Sequence, residues 1–177
     1  GLVAFVAPGV QNTGIISARL GKVSLAAGNT FTLDLYGDQL VNLGVDSQVM
    51  QNVTGFNGEQ LNSLVNNSGS IYADGGTVAM DVQTAQGLID GVINMSGYIQ
   101  ARSIAEKNGS IYLTGGNDGL VSVSGSINAT GLGIKETGGV VHVLGSRVGL
   151  YDNAFIDVSG DAGGGLVLVG GDYQGLG

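Results

Sequence analysis

A nine-residue pattern occurs five times in this chain, and it limits the fold more than any other feature. The copies are VQNTGIISA (10–18), VNNSGSIYA (65–73), INMSGYIQA (93–101), VSVSGSINA (121–129) and LYDNAFIDV (150–158). They align on Gly14, Gly69, Gly97, Gly125 and Ala154, with steps of 55, 28, 28 and 29 residues. Two positions later comes isoleucine in every copy: Ile16, Ile71, Ile99, Ile127 and Ile156. Four positions before the small residue stand Val10, Val65, Ile93, Val121 and Leu150, and four after it Ala18, Ala73, Ala101, Ala129 and Val158. Between the isoleucine and this last position lie the polar residues Ser17, Tyr72, Gln100, Asn128 and Asp157. Period-two alternation of this kind puts one face of a strand inward and the other in solvent.

A second column follows each copy: KVSLA (22–26), TVAMD (77–81), SIYLT (110–114), VVHVL (140–144) and LVLVG (166–170), with LVAFV (2–6) as its first member. The inward pairs are predicted as Val3/Phe5, Val23/Leu25, Val78/Met80, Ile111/Leu113, Val141/Val143 and Val167/Val169. Glycine-rich corners at 74–76, 108–109, 138–139 and 163–165 separate the columns. Strands recurring in one order with the same inward residues are best satisfied by stacking at about 4.8 Å spacing, like on like. The expected fold is all-β, a parallel β-helix, right-handed by the usual hand of parallel crossovers. A β-sandwich also has short strands and regular turns but does not require one residue type at one place in every copy. Thr13, Ser68, Ser96, Ser124 and Asn153, beside the small residue, are expected to hydrogen-bond along the stack or to the turn backbone.

The expected organisation is a single solenoid domain over 1–177. The 20 residues from Val3 to Val23 estimate the minimal coil, and longer coils place their additions in loops. The 55-residue step points to an insertion at 29–64, read as one or two antiparallel hairpins, with turn candidates Tyr36-Gly37-Asp38 and Asn57-Gly58. The alternative is a degenerate extra rung using Phe31, Leu33 and Leu35. GLVAFVAP and GGDYQGLG stop in mid-pattern, so the chain reads as a piece of a longer repetitive one. Neighbouring repeats, or like subunits stacked end to end, are its expected partners.

Composition narrows the function. Apolar residues make up 43% and charged residues 11%, the reverse of a disordered chain. The 34 glycines stand against one proline, Pro8, without a collagen period. A net charge of −8 offers no basic footprint for nucleic acid or an anionic membrane. Without cysteine there is no disulfide framework or thiolate metal site. The apolar start lacks a basic n-region, and no apolar run reaches membrane-span length, so membrane insertion is not expected.

No catalytic, cofactor-binding or metal-ligating residue is assigned, and no cofactor is expected. His142, the sole histidine, points outward between Val141 and Val143, and no Gly-x-Ser-x-Gly elbow accompanies it. Asp74, Arg102 and Arg19 share an outward column; an exposed ion pair there carries little energy. Gln100 faces outward, so Gln100→Asp is expected to be nearly silent, whereas Ile99→Asp would put an unpaired charge in the core. GGNDGLVSV (115–123) and SGDAGGGLVLV (159–169) resemble calcium-binding glycine-rich repeats without their nonapeptide spacing, and turn chemistry explains them equally. Tyr72 and Tyr112 face outward and could stack on sugars or cover apolar surface. The weighed alternative to a structural module is a glycan-active β-helix, a binding module or a depolymerase.

LVAFVAPGVQNTGIISARLGKVSLAAG, FTLDLYGDQLV, NNSGSIYADGGTV and IDVSGDAGGG together resemble the filamentous haemagglutinin family, the large exoproteins of bacterial two-partner secretion. The resemblance covers nearly the whole chain. It implies a right-handed parallel β-helix, secretion to the bacterial surface or beyond, and a role in adhesion, biofilm or competition, with host or matrix glycans or proteins as partners. The family's secretion domain carries Asn-Pro-Asn motifs; none occurs here, so the resemblance points to the repetitive shaft.

Overall fold

The computed structural model describes residues 1–28, 30–33, 41–44, 53–55, 57–82, 91–116 and 119–171. Three parallel sheets form the walls of a β-helix, and no helix occurs among the described residues. With strands numbered in chain order, the first sheet stacks β1 (Leu2–Ala7), β4 (Lys22–Ala27), β9 (Thr77–Val82), β12 (Ser110–Thr114), β15 (Val140–Leu144) and β18 (Leu166–Gly170). The second holds β2 (Val10–Asn12), β7 (Val65–Asn67), β10 (Gly91–Met95), β13 (Leu120–Val123) and β16 (Arg147–Leu150). The third holds β3 (Ile15–Ser17), β8 (Ser70–Tyr72), β11 (Tyr98–Gln100), β14 (Ser126–Asn128) and β17 (Phe155–Asp157). The chain visits first, second and third sheet in turn, so each circuit is one coil.

The isoleucines form one ladder in the third sheet: Ile16 pairs with Ile71, Ile71 with Ile99, Ile99 with Ile127 and Ile127 with Ile156. Ile71, Ile99 and Ile127 are fully buried, as are Val23, Leu25, Val78, Met80, Ile111, Leu113, Val141 and Val143 of the first sheet. The outermost coils depart from this pattern. Phe5 is 49% exposed, Val167 37% and Val169 44%. Each belongs to an edge strand of the first sheet, with a coil on one side only, so half of the packing that buries the inner residues is absent.

One alignment needs correction. Val148, not Leu150, pairs with Val121, and Leu150 pairs with Val123. The turn from the second to the third sheet takes two residues in four coils and four, Tyr151–Ala154, in the fifth. Asp152 sits there at φ 51°, and Ala154 N donates to Tyr151 O. The two added residues shift the apparent repeat, and Leu150 is exposed.

Glycine fills this turn elsewhere because neighbouring coils approach too closely for a side chain. A Cβ on Gly69, Gly97 or Gly125 would overlap the carbonyl oxygen of Gly14, Gly69 or Gly97 beneath it. A second glycine column precedes the first sheet: Gly1, Gly21, Gly76, Gly109, Gly139 and Gly165 each stand immediately before a strand, and a Cβ on Gly21, Gly76, Gly139 or Gly165 would overlap the carbonyl oxygen of Gly1, Gly21, Gly109 or Gly139. The carbonyls of Gly1, Gly21, Gly76, Gly109 and Gly139 accept from the strand-opening N–H of the next coil, from Lys22 through Leu166.

The expected Thr/Ser/Asn ladder is displaced by one residue. The hydroxyls of Thr13, Ser68, Ser96 and Ser124 make no hydrogen bond to described residues; Ser68 and Ser96 are exposed. Their neighbours Asn12 and Asn67 point inward instead. Asn12 Nδ2 donates to Asn67 Oδ1 at 2.7 Å, and the fully buried Asn67 donates to Met95 Sδ at 3.8 Å.

The 55-residue step adds no rung. β2 pairs directly with β7, Val10 opposite Val65, and β4 directly with β9. Between them β5 (Thr30–Leu33) and β6 (Val41–Gly44) pair antiparallel in a sheet of their own, Phe31 opposite Leu43. Thr54 and Gln60 form a second antiparallel bridge. Here Gly55 N donates to Glu59 O, Gly58 N donates to Gly55 O, and Gly58 has φ 81°, a wider reversal than a two-residue turn. Tyr36-Gly37-Asp38 and Leu35 lie outside the described residues. β6 lies beside β4, whose outward residues Ser24 and Ala26 are buried.

Candidate functional site

The outer face of the third sheet gathers the most connected polar and aromatic side chains among the described residues. Alternation sends Ile71, Ile99 and Ile127 inward and leaves Tyr72, Tyr98, Gln100 and Asn128 on the outside of β8, β11 and β14. Stacking then brings residues 26 to 30 positions apart into contact. The rings of Tyr72 and Tyr98 lie 5.7 Å apart, tilted by 51°. Asn128 Nδ2 donates to the Tyr98 hydroxyl at 3.1 Å, and that hydroxyl donates to Gln100 Oε1 at 2.9 Å. Gln100 Nε2 donates to Asp74 Oδ1 and Oδ2 at 3.0 and 2.9 Å.

Asp74 also binds Arg102. The guanidinium Nη2 approaches Asp74 Oδ2 at 2.8 Å, and the Arg102 backbone N–H donates to Oδ1 at 3.0 Å. The Asp74 side chain is only 13% exposed against 46% for Arg102. Burial works against the Asp74 carboxylate, but the hydrogen bonds from Arg102 and Gln100 outweigh it and hold its pKa below the usual carboxylate range. Asp74 and Arg102 are therefore more than a loose surface pair, whereas Arg19 of the same column only lines the groove beside them; Gln100 is not free in solvent but bridges two coils.

Arg102 also borders a groove at the corner between the third and first sheets. Arg19, Ser103, Ile104, Leu132, Gly133 and Glu136 complete its lining. Glu136 holds the groove's two loops together, accepting from Ala105 N at 2.6 Å and Gly133 N at 2.9 Å. Farther along the stack, Thr130 N and Oγ1 donate to Asn128 Oδ1, and Ser159 N and Oγ donate to Asp157 Oδ1. These local bonds close the strand ends, and those from Ser159 lower the Asp157 pKa.

The first sheet's outer face differs. Tyr112 meets His142 edge-on at 5.2 Å, so Tyr72 and Tyr112 belong to separate faces. His142 Nε2 is buried without a hydrogen-bond partner among the described residues. Burial pushes the Asp81 carboxyl upward, partly offset by a hydrogen bond with Thr114. No three of His, Asp and Glu gather as metal ligands among the described residues, and Asn117 and Asp118 of the glycine-rich stretch lie outside them.

Sequence reasoning missed Tyr98 and Asn67. Tyr98 opens a strand where the other coils carry Ile15, Ser70, Ser126 and Phe155, so no column singles it out. Asn67 stands in a column with Asn12, Met95 and Val123, whose change from polar to apolar hides its inward direction. No family model matches the chain, and no curated protein matches it.

Proposed function

We propose that this chain is a rigid spacer: a shaft segment of a secreted bacterial adhesin or extracellular matrix fibre, acting through geometry without catalysis. The observation that carries this reading is the continuous parallel stacking of coils, each strand paired with the equivalent strand of its neighbour and the register shifting only at Gly91–Ile93 among the described pairs. Five spacings of about 4.8 Å give the first sheet about 24 Å of rise, and a repeat that covers its neighbour's edge extends without a built-in limit. The sequence resemblance to filamentous haemagglutinin-type exoproteins supports placement outside the cell and a role in attachment or biofilm.

A spacer tolerates loss of a whole coil. Deleting residues 141–166 joins Val140 to Val167, which occupy adjacent ladder positions because Val141 pairs with Val167. In the producing bacterium, the shortened protein should reach the surface and support attachment as the full chain does. Lost attachment with undiminished surface display would overturn the spacer reading, as would turnover of a polysaccharide by the purified chain.

A further inference from the structure

We propose that the outer face of the third sheet, centred on Tyr72 and Tyr98, binds a neutral oligosaccharide. This goes beyond the spacer function and does not depend on it. Sugar recognition needs an apolar ring to lie against one face of the pyranose and planar polar groups beside it to take its hydroxyls. Aromatic side chains with an apolar body and a polar tip suit the first task. Tyr72 and Tyr98 are half-buried, so each presents part of its ring to solvent. Their 51° tilt rules out a single flat platform, so the pair suits one sugar residue per ring along a twisted chain.

The polar groups are already oriented. Gln100 is held at both ends, by the Tyr98 hydroxyl and by Asp74, and Asp74 is held by Arg102. These bonds fix side chains that would otherwise lose rotamer freedom on binding. They also leave capacity: among the described residues Gln100 Oε1 accepts only from the Tyr98 hydroxyl and keeps a second lone pair, and the Arg102 guanidinium has N–H groups beyond those given to Asp74. Arg102 continues the face into the corner groove, giving a second sugar residue room to follow the first.

Charge decides the class of sugar. Arg19 and Arg102 are matched in the same region by Asp74 and Glu136, and the chain as a whole carries −8. An anionic glycan gains no net attraction here and meets a repelling molecule, whereas a neutral one needs only the stacking and hydroxyl contacts.

The test is calorimetric and NMR titration of the full chain with cellohexaose, laminarihexaose, mannohexaose and oligogalacturonate. At least one neutral hexaose should bind saturably, with an affinity little changed by salt. Tyr72→Ala should weaken that binding at least tenfold, Tyr72→Phe less than threefold, and Tyr112→Ala on the first sheet should leave it unchanged. Circular dichroism of each variant separates lost binding from lost fold; Tyr98→Leu, which removes the second ring and should weaken binding at least tenfold, decides the matter if Tyr72→Ala unfolds. Failure of every neutral hexaose, preference for oligogalacturonate, or equal weakening by Tyr112→Ala would each overturn the proposal, while leaving the coil-deletion result untouched.

Discussion

At the residue scale, position in the stack matters more than residue type. A methyl group on Gly97 would overlap the Gly69 carbonyl, while one on Gly164 would meet its nearest atom, Val158 O, at 3.8 Å. Gly97→Ala should cost about 1–3 kcal/mol, the usual penalty for overpacking, and Gly164→Ala almost nothing; thermal melts of the two variants check the contrast. Gln100→Asp would set a carboxylate against Asp74 and break the bridge to Tyr98. It should cost about 1–3 kcal/mol at neutral pH, with part recovered in acid, when one of the two carboxyls takes a proton.

The two perturbed carboxylates act in opposite directions. The folded-state pKa of Asp74 lies below its unfolded value, so its stabilisation is complete above the unfolded pKa and is lost as pH falls through the folded one. The folded-state pKa of Asp81 lies above its unfolded value because of burial. Its cost is complete above the folded pKa and disappears as pH falls to the unfolded one. Asp81→Asn removes that charge and keeps an acceptor for Thr114, so it should raise the melting temperature at neutral pH and have little effect in acid. Melts across the acidic range measure both signs.

At the element scale, coil length is set at the corners rather than in the strands. The link from first to second sheet needs only Pro8 and Gly9 between β1 and β2, and Gly145 and Ser146 between β15 and β16. Removing residues 29–63 leaves Gly28 and Leu64 as an equivalent two-residue link. That shortens the 55-residue spacing of Val23 and Val78 to the 20 residues between Val3 and Val23. Leu64 stays in place, with its carbonyl accepting from Val10 N and its N–H donating to Val92 O. The shortened chain should keep its β-sheet circular dichroism. It should melt several degrees lower, because the outward face of β4 loses its cover. Loss of the β signal would mean that the insertion is needed to form the coil.

At the scale of the whole molecule, parallel stacking leaves the outer edges of β1 and β18 without a strand partner among the described residues, a row of backbone groups open to pairing. Phe5 lies on one edge strand, and Leu166, Val167, Leu168 and Val169 on the other, all partly exposed. The purified chain should therefore associate end to end with rising concentration, visible by light scattering and electron microscopy. Val169→Lys, which puts a charge in that apolar edge, should suppress the association; a monomer at every concentration would refute it.

Much of this was legible in the chain alone. Period-two alternation and five isoleucines at one position determined the parallel stack, because only coils in register bury the same residue in every turn. The sequence by itself also placed the inward pairs of the inner coils and marked 29–64 as additional, leaving hairpin and extra rung both open until the direct pairing of β4 with β9 decided between them. Tertiary structure alone decided the rest. The shift from Leu150 to Val148 depends on a turn two residues longer than its counterparts, which fixed spacing cannot register. The inward turn of Asn67 depends on Asn12 and Met95 beside it in space. The joining of Tyr72, Asp74, Tyr98, Gln100, Arg102 and Asn128 depends on contacts between coils. Periodicity assigns each side chain a face; which side chains touch on that face is decided by the register of one coil on the next.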